Sequence, residues 1–177
     1  MYRIGVVVEG DYDVKAIPVL IKKCRPQVKV ISRQCRGPII NKFRGILDEF
    51  AARGSVDKAL VIRDANGVDP ADLISEMNKR LAGRDYKFPV NHLVIVQELE
   101  AWLLADELAI KTVVGLKRLF RSPETLADPK AELRRLFAKS KQVYTAEMAR
   151  RIAENARPAV LTKRCPSFAA FRDAVLR

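Results

Sequence analysis

Apolar positions along the first 107 residues alternate between two rhythms. Short, nearly continuous runs at residues 3–8, 28–33, 59–63 and 92–96 are closed by turn formers or charge, the pattern of strands covered on both faces. Between them lie longer stretches whose apolar residues recur at three and four positions, which predicts helices at 12–24, about 40–53, about 71–81 and from about 98 through Asp106. Pro18 falls inside the first helix and is expected to kink or restart it. Gly54 stops the second, and Asp69 before Pro70 reads as the cap of the third. The connections are too long for hairpins, so the elements predict an α/β fold with a mainly parallel four-stranded sheet and right-handed crossovers.

The rhythm changes after about residue 110. Strand patterns vanish, and helices are expected at about 113–120, 130–139, 144–156 and 166–176, punctuated by Ser122-Pro123, Asp128-Pro129, Arg157-Pro158 and Cys165-Pro166. Residues 1–110 are therefore expected to form the α/β domain, and 111–177 a helical subdomain packed on it. There is no linker, repeat or low-complexity tract between them.

Charge sharpens that division. Residues 111–177 hold 16 Lys and Arg against 6 Asp and Glu, whereas residues 1–110 hold 17 against 15. A basic lobe beside an acidic sheet edge suits a polyanion, DNA or RNA; a solvated helical surface is the plainer alternative. Arg33, Arg36, Arg118, Arg134, Arg135, Lys163 and Arg164 are the candidates to hold such a strand. No apolar run reaches the ~18 residues of a membrane span. Met1-Tyr2-Arg3 does not open a signal-peptide pattern. Cys24, Cys35 and Cys165 give neither a disulfide framework nor a zinc pattern. A reducing cytoplasm is the expected compartment.

The candidate chemistry lies at the strand ends. The first strand runs into Glu9, Gly10, Asp11 and Asp13; the third ends at Asp64, followed by Asn66 and Asp69; the fourth runs into Gln97, Glu98 and Glu100. Open α/β sheets place their sites at the carboxyl ends of strands, and carboxylates gathered there repel one another unless a cation compensates. Magnesium takes such hard oxygen ligands. Asp11 and Asp13 could instead be ordinary first-turn acids. Glu98 and Glu100, two apart, cannot both face one way on a strand, and on a helix they diverge by ~200°. Asp106 is expected to face solvent or to support the ligands. Trp102 reads as core, and His92 as a satisfied or exposed histidine. A single histidine offers no Ser/His/Asp arrangement, and no phosphate-cradling glycine loop is present.

Val8-Glu9-Gly10-x-x-Asp13, followed by a strand ending at Asp64, resembles a Toprim domain, the metal-binding fold of topoisomerases, primases and OLD-family nucleases. The segments Glu98 to Asp106 (Glu-x-Glu-Ala-Trp-Leu-Leu-Ala-Asp), Pro123-Glu124, Asp128-Pro129-Lys130 and Cys165-Pro166-Ser167-Phe168 resemble more specifically a bacterial Toprim-like family related to RloB-like proteins. The resemblance implies Mg²⁺ or Mn²⁺ chemistry on phosphodiesters, in phage defence or nucleic-acid processing. Glu9 would act as acid/base or metal organiser and Asp64 as principal ligand, with Asp13 and Glu98 or Glu100 in support. Asn66 stands where the family's Asp-x-Asp has its second acid, which implies weaker binding or one metal in place of two. Two other readings compete: a nucleic-acid-binding module without catalysis, and a component whose charge serves a protein partner or a homodimer.

Overall fold

A computed structural model describes residues 1–177. Four strands, β1 (Tyr2–Val8), β2 (Val28–Gln34), β3 (Lys58–Asp64) and β4 (Val90–Ile95), form one sheet in the order β2-β1-β3-β4. Every neighbouring pair is parallel, so the sheet is wholly parallel. Val6, Val7, Val8, Leu60 and Val61 are buried completely, which explains why these strands carry no polar alternation.

The crossovers are α1 (Asp11–Cys24), α2 (Ile39–Ala52) and α3 (Pro70–Leu81). The β1-to-β2 step moves one way across the sheet and the β2-to-β3 and β3-to-β4 steps move the other way, so α1 covers one face while α2 and α3 cover the other. The second face packs on a cluster of 14 buried residues that includes Phe43, Leu47, Phe50 and Met77. Gly5 lies under that cluster because a Cβ there would stand 2.7 Å from the Phe50 ring.

Beyond β4 come α4 (Leu99–Leu104), α5 (Glu107–Val114), α6 (Pro129–Lys139), α7 (Ala146–Asn155), α8 (Pro158–Arg164) and α9 (Pro166–Leu176), with one 3₁₀ turn at Pro123–Thr125. A single apolar cluster of 34 buried residues joins α1 and its sheet face to these helices, from Ile4 to Val175. Trp102 sits in it, edge-on to Phe168 at 5.1 Å between ring centroids, as expected of a core tryptophan.

Three elements depart from the sequence pattern. Pro18 does not restart α1, which runs unbroken from Asp11 to Cys24; packing of Ala16, Ile17, Leu20 and Ile21 into the core overrides the lost hydrogen bond. The helix expected at 113–120 lies at 107–114 instead, capped by Asp106 and stopped by Gly115 at φ 83°. Pro158 does not merely separate helices: it occupies the first turn of α8, where its missing N–H costs nothing.

Candidate metal centre and adjoining cleft

Strand order reverses between β1 and β3, and at such a switch the loops after two adjacent strands diverge and open a crevice. Glu9 follows β1 at that point and Asp64 closes β3 beside it. β4 adds Glu98 and Glu100 from the next position in the sheet, and Asp13 comes from the first turn of α1.

The five acids are held in different ways. Asp13 Oδ2 accepts from Gly10 N at 2.9 Å, so it caps its own helix and also faces the other acids. Glu9 Oε1 accepts from Ile39 N, the first residue of α2, at 3.2 Å. Glu98 Oε1 accepts from Lys130 N, in the first turn of α6, at 2.7 Å. Glu100 is 1% exposed; its Oε1 takes the Tyr144 hydroxyl at 3.1 Å and stands 3.3 Å from Lys130 Nζ. Asp64 makes no side-chain hydrogen bond. Asp11 is turned outward to Gln34 Nε2, and Asp69 is the α3 cap, accepting from Ala71 N at 2.8 Å.

Electrostatics bind the group together. Burial and then, in order, Asp13, Glu100, Glu98 and Glu9 push the Asp64 carboxyl well above its ordinary range. Burial does the same to Asp13, raising it to about 7, with Glu100 and Glu9 adding to it and the Gly10 amide and Lys130 opposing. Glu98 is raised by burial and by Glu100. The one cation inside this group is Lys130, whose ammonium also lies 4.0 Å from the centre of the Tyr12 ring. One positive charge among five acids leaves a negative excess, so the donor set suits a hard divalent ion. No three acids stand close enough together to enclose one as the side chains lie. Glu9, Asp13 and Glu98 are the three spent on backbone amides at helix starts.

The raised acids make stability depend on pH with a definite sign. A folded carboxyl with a pKa above its unfolded value binds more protons than the unfolded chain does, so stability falls as pH rises. For Asp13 the fall begins near the unfolded value of ~4 and is complete once pH passes about 7. The expected loss is on the order of 2–4 kcal/mol. Urea midpoints in EDTA should drop between pH 4.5 and 8, more steeply in the wild type than in Asp13→Asn, and Mn²⁺ should restore more at pH 8 than at pH 5. Equal slopes in the two proteins would mean that Asp13 is not crowded.

Asn66 is exposed, and its backbone N donates to Gln97 O at 2.9 Å. It stands on the rim of a polar cleft of about 500 Å³ that also takes in Gln97, Glu98, Lys130 and Arg134. Gln97 and Lys130 stand in the strand-end and family segments of the sequence, but nothing local ties residue 130 to residue 100 or sets the backbone at 97, so the sequence assigns neither a role. The basic candidates divide. Arg118 and Arg135 share Glu132, Arg33 pairs with Glu49 at 3.6 Å, and Arg164 is fastened to Ala105 O and Glu107. Arg36 lies by a shallow cleft at the start of α2. Arg134 and Lys163 are exposed and have no acidic partner.

Asp106 neither faces solvent nor supports the acids. It is fully buried, caps α5 through Leu108 N at 3.1 Å and holds Arg157. His92 is half-buried, with Nδ1 2.8 Å from Asn78 Oδ1, on the far face from the acids. Ser167 explains the closing sequence block: its hydroxyl takes the Trp102 Nε1 proton at 2.7 Å and donates to Glu124. Three separated segments thus meet beside the β4–α4 turn.

Fold and site together define a doubly wound, parallel α/β protein with an acid-lined carboxyl edge. The chain belongs to the DUF4276 family, described as a domain of unknown function, whose family model matches residues 8–176. No curated protein sequence matches it significantly. Among solved structures it is similar to the C-terminal region of the Burkholderia pseudomallei OLD protein, at 20% identity over 99% of both chains with a TM-score of 0.48. It is also similar to the C-terminal region of the Xanthomonas campestris pv. campestris OLD protein, at 19% identity over 99% of this chain and 97% of that one, with a TM-score of 0.46. No helix is long and apolar enough to cross a membrane.

Proposed function

We propose that this protein is a Mg²⁺- or Mn²⁺-dependent nuclease that hydrolyses phosphodiesters of DNA or RNA, in phage defence or nucleic-acid processing. The observation that carries the reading is Asp64 at the switch point, without a hydrogen-bond partner and with its charge opposed by burial and by four further carboxylates, while the one cation in the group, Lys130, is paired with Glu100. The Toprim-like sequence pattern points the same way. Glu9, Asp13, Asp64 and Glu98 or Glu100 would hold the cation, with Asn66 as a neutral neighbour. When bound, it supplies a Lewis acid for the phosphoryl oxygen and a water of lowered pKa. Glu9 sits where its carboxylate can leave the α2 amide and take or give a proton. Lys130 pairs with Glu100 and fixes it in place, and the basic helical segment would offer its free cations to the strand.

The test is cleavage of single- and double-stranded DNA and RNA with Mg²⁺ or Mn²⁺. Turnover is expected in the wild type and is expected to vanish in Glu9→Gln. Equal cleavage by the two proteins would refute the assignment of this site.

A second reading is a nucleic-acid-binding module without catalysis. It is favoured by the amide of Asn66 in the loop after β3 and by the absence of any three acids already gathered around one point. It predicts salt-dependent binding unchanged in Glu9→Gln, with no metal-dependent product.

A further inference from the structure

The cleft beside the acids has walls unlike the acids themselves. Two non-glycine residues with left-handed backbone line it, Asn66 at φ 48° and Gln97 at φ 62°, joined by the Asn66 N–H to Gln97 O bond. Asparagine tolerates this region; for glutamine it costs roughly 1–2 kcal/mol, and such strain persists where the surroundings enforce it. Both residues line the cleft, and neither side-chain amide makes a hydrogen bond within the protein. Arg134, in the second turn of α6, also lines the cleft and has no acidic partner, although seven other basic residues of 111–177 are paired. Glu98 forms the border between cleft and acids.

We propose that this cleft is the subsite for one unpaired nucleotide of a single strand, adjoining the scissile phosphate. It rests on the nucleic-acid reading above and deepens it by naming the substrate as single-stranded. An amide offers a donor and an acceptor side by side, the arrangement that pairs with a base edge. Gln97 and Asn66 together present two such pairs, and the guanidinium of Arg134 takes the adjoining phosphate. The volume of about 500 Å³ is within the ~300–1,000 Å³ of ligand clefts. A paired base shows an amide only its groove edges and cannot itself enter a concave cleft of this size unless it is first flipped out of the stack. The subsite therefore selects single strands, loops or frayed ends.

The probes are fluorescein-labelled 12-nucleotide homopolymers of DNA and RNA and their duplexes, followed by anisotropy in EDTA so that no cleavage intervenes. Single strands are expected to bind more tightly than duplexes. Gln97→Gly, which keeps the left-handed backbone and removes the amide, should weaken single-strand binding about 10-fold and level the differences among homopolymers. Arg134→Ala should weaken all single strands about 5-fold alike and reduce the salt slope by about 1. Lys29→Ala, at an exposed position near the amino-terminal end of β2 and so at the opposite edge of the sheet from the acids, should change binding less than about 2-fold. Unchanged affinity in both cleft variants, or duplexes bound as tightly as single strands, overturns the subsite and leaves the nuclease reading standing. Competition by a nucleoside monophosphate at equal concentration also overturns it, marking the cleft as a free-nucleotide site. Absence of binding to any oligonucleotide overturns both readings, and cleavage that persists in Glu9→Gln overturns only the metal centre.

Discussion

Asp64→Asn is expected to give a metal-free protein that is more stable than the wild type and incapable of cleavage. The reasoning is electrostatic. Asp64 ends a strand whose last residues are held in register with β4, so its carboxylate cannot move away from its neighbours. It makes no hydrogen bond that asparagine would lose, and four acids disfavour its charge. An amide of the same size removes the repulsion and leaves the packing alone. The gain should be about 1–2 kcal/mol at pH 8 and shrink as pH falls, because a carboxyl whose folded pKa is raised costs stability only where the unfolded chain would ionise it. For a domain of this size that is a rise of about 2–4 °C in Tm for each kcal/mol. Mn²⁺ should raise the Tm of the wild type and leave the variant where it was, since a ligand stabilises only a state that binds it. Cleavage should fall on the order of 10³-fold or more, the several kcal/mol that a bound metal contributes. A variant that is less stable in EDTA, or that Mn²⁺ still stabilises, would remove Asp64 from the centre. Gains in stability at the expense of activity are what a site built from mutually repelling groups predicts.

How much of this was legible in the chain depended on whether the signal was local. The run Ile4 to Val8 followed by acid, and its echo at Ala59 to Asp64, mark strands covered on both faces that end in chemistry; the sheet follows from them. What local pattern cannot carry is pairing at a distance. Glu98 and Glu100 differ by two residues, and the pattern left their directions open. Their separation comes from α6, thirty residues on, which offers Glu98 a backbone amide and Glu100 an ammonium from the same Lys130. The basic residues mislead in the same way. Arg118, Arg135 and Arg164 look as free in sequence as Arg134, and only the fold shows that Glu132 and Glu107 hold them. The misplaced fifth helix has a different cause. Leu116, Leu119 and Phe120 continue a helical spacing, but Gly115 turns the chain left-handed first, leaving Leu119 half exposed.

The larger effect on folding is expected at Asp106, an acid that the sequence ranked as peripheral. Its carboxylate is wholly buried. It caps α5, and it accepts from the Arg157 backbone N at 2.9 Å, from Nε at 2.8 Å and from a terminal guanidinium nitrogen at 2.7 Å. One side chain thus ties the start of α5 to the α7–α8 junction. These bonds hold the carboxyl below its usual range even though burial alone would raise it. A depressed folded pKa contributes stability that is present above the unfolded value of ~4 and lost as pH falls below it. Asp106→Ala removes the cap, strands the Arg157 backbone donor and opens a void, and should cost about 3 kcal/mol, the lower end for breaking a buried pair, because the half-exposed guanidinium can return to water. Asp106→Asn keeps the size and an acceptor, so it should cost less and recover part of the cap. The measurement is urea unfolding of both variants at pH 7 and at pH 4, alone and combined with Arg157→Ala. The two alanine changes should be strongly non-additive, since each removes the same pair. Additive losses would mean that Asp106 acts through its helix cap alone and that α7 and α8 are anchored elsewhere.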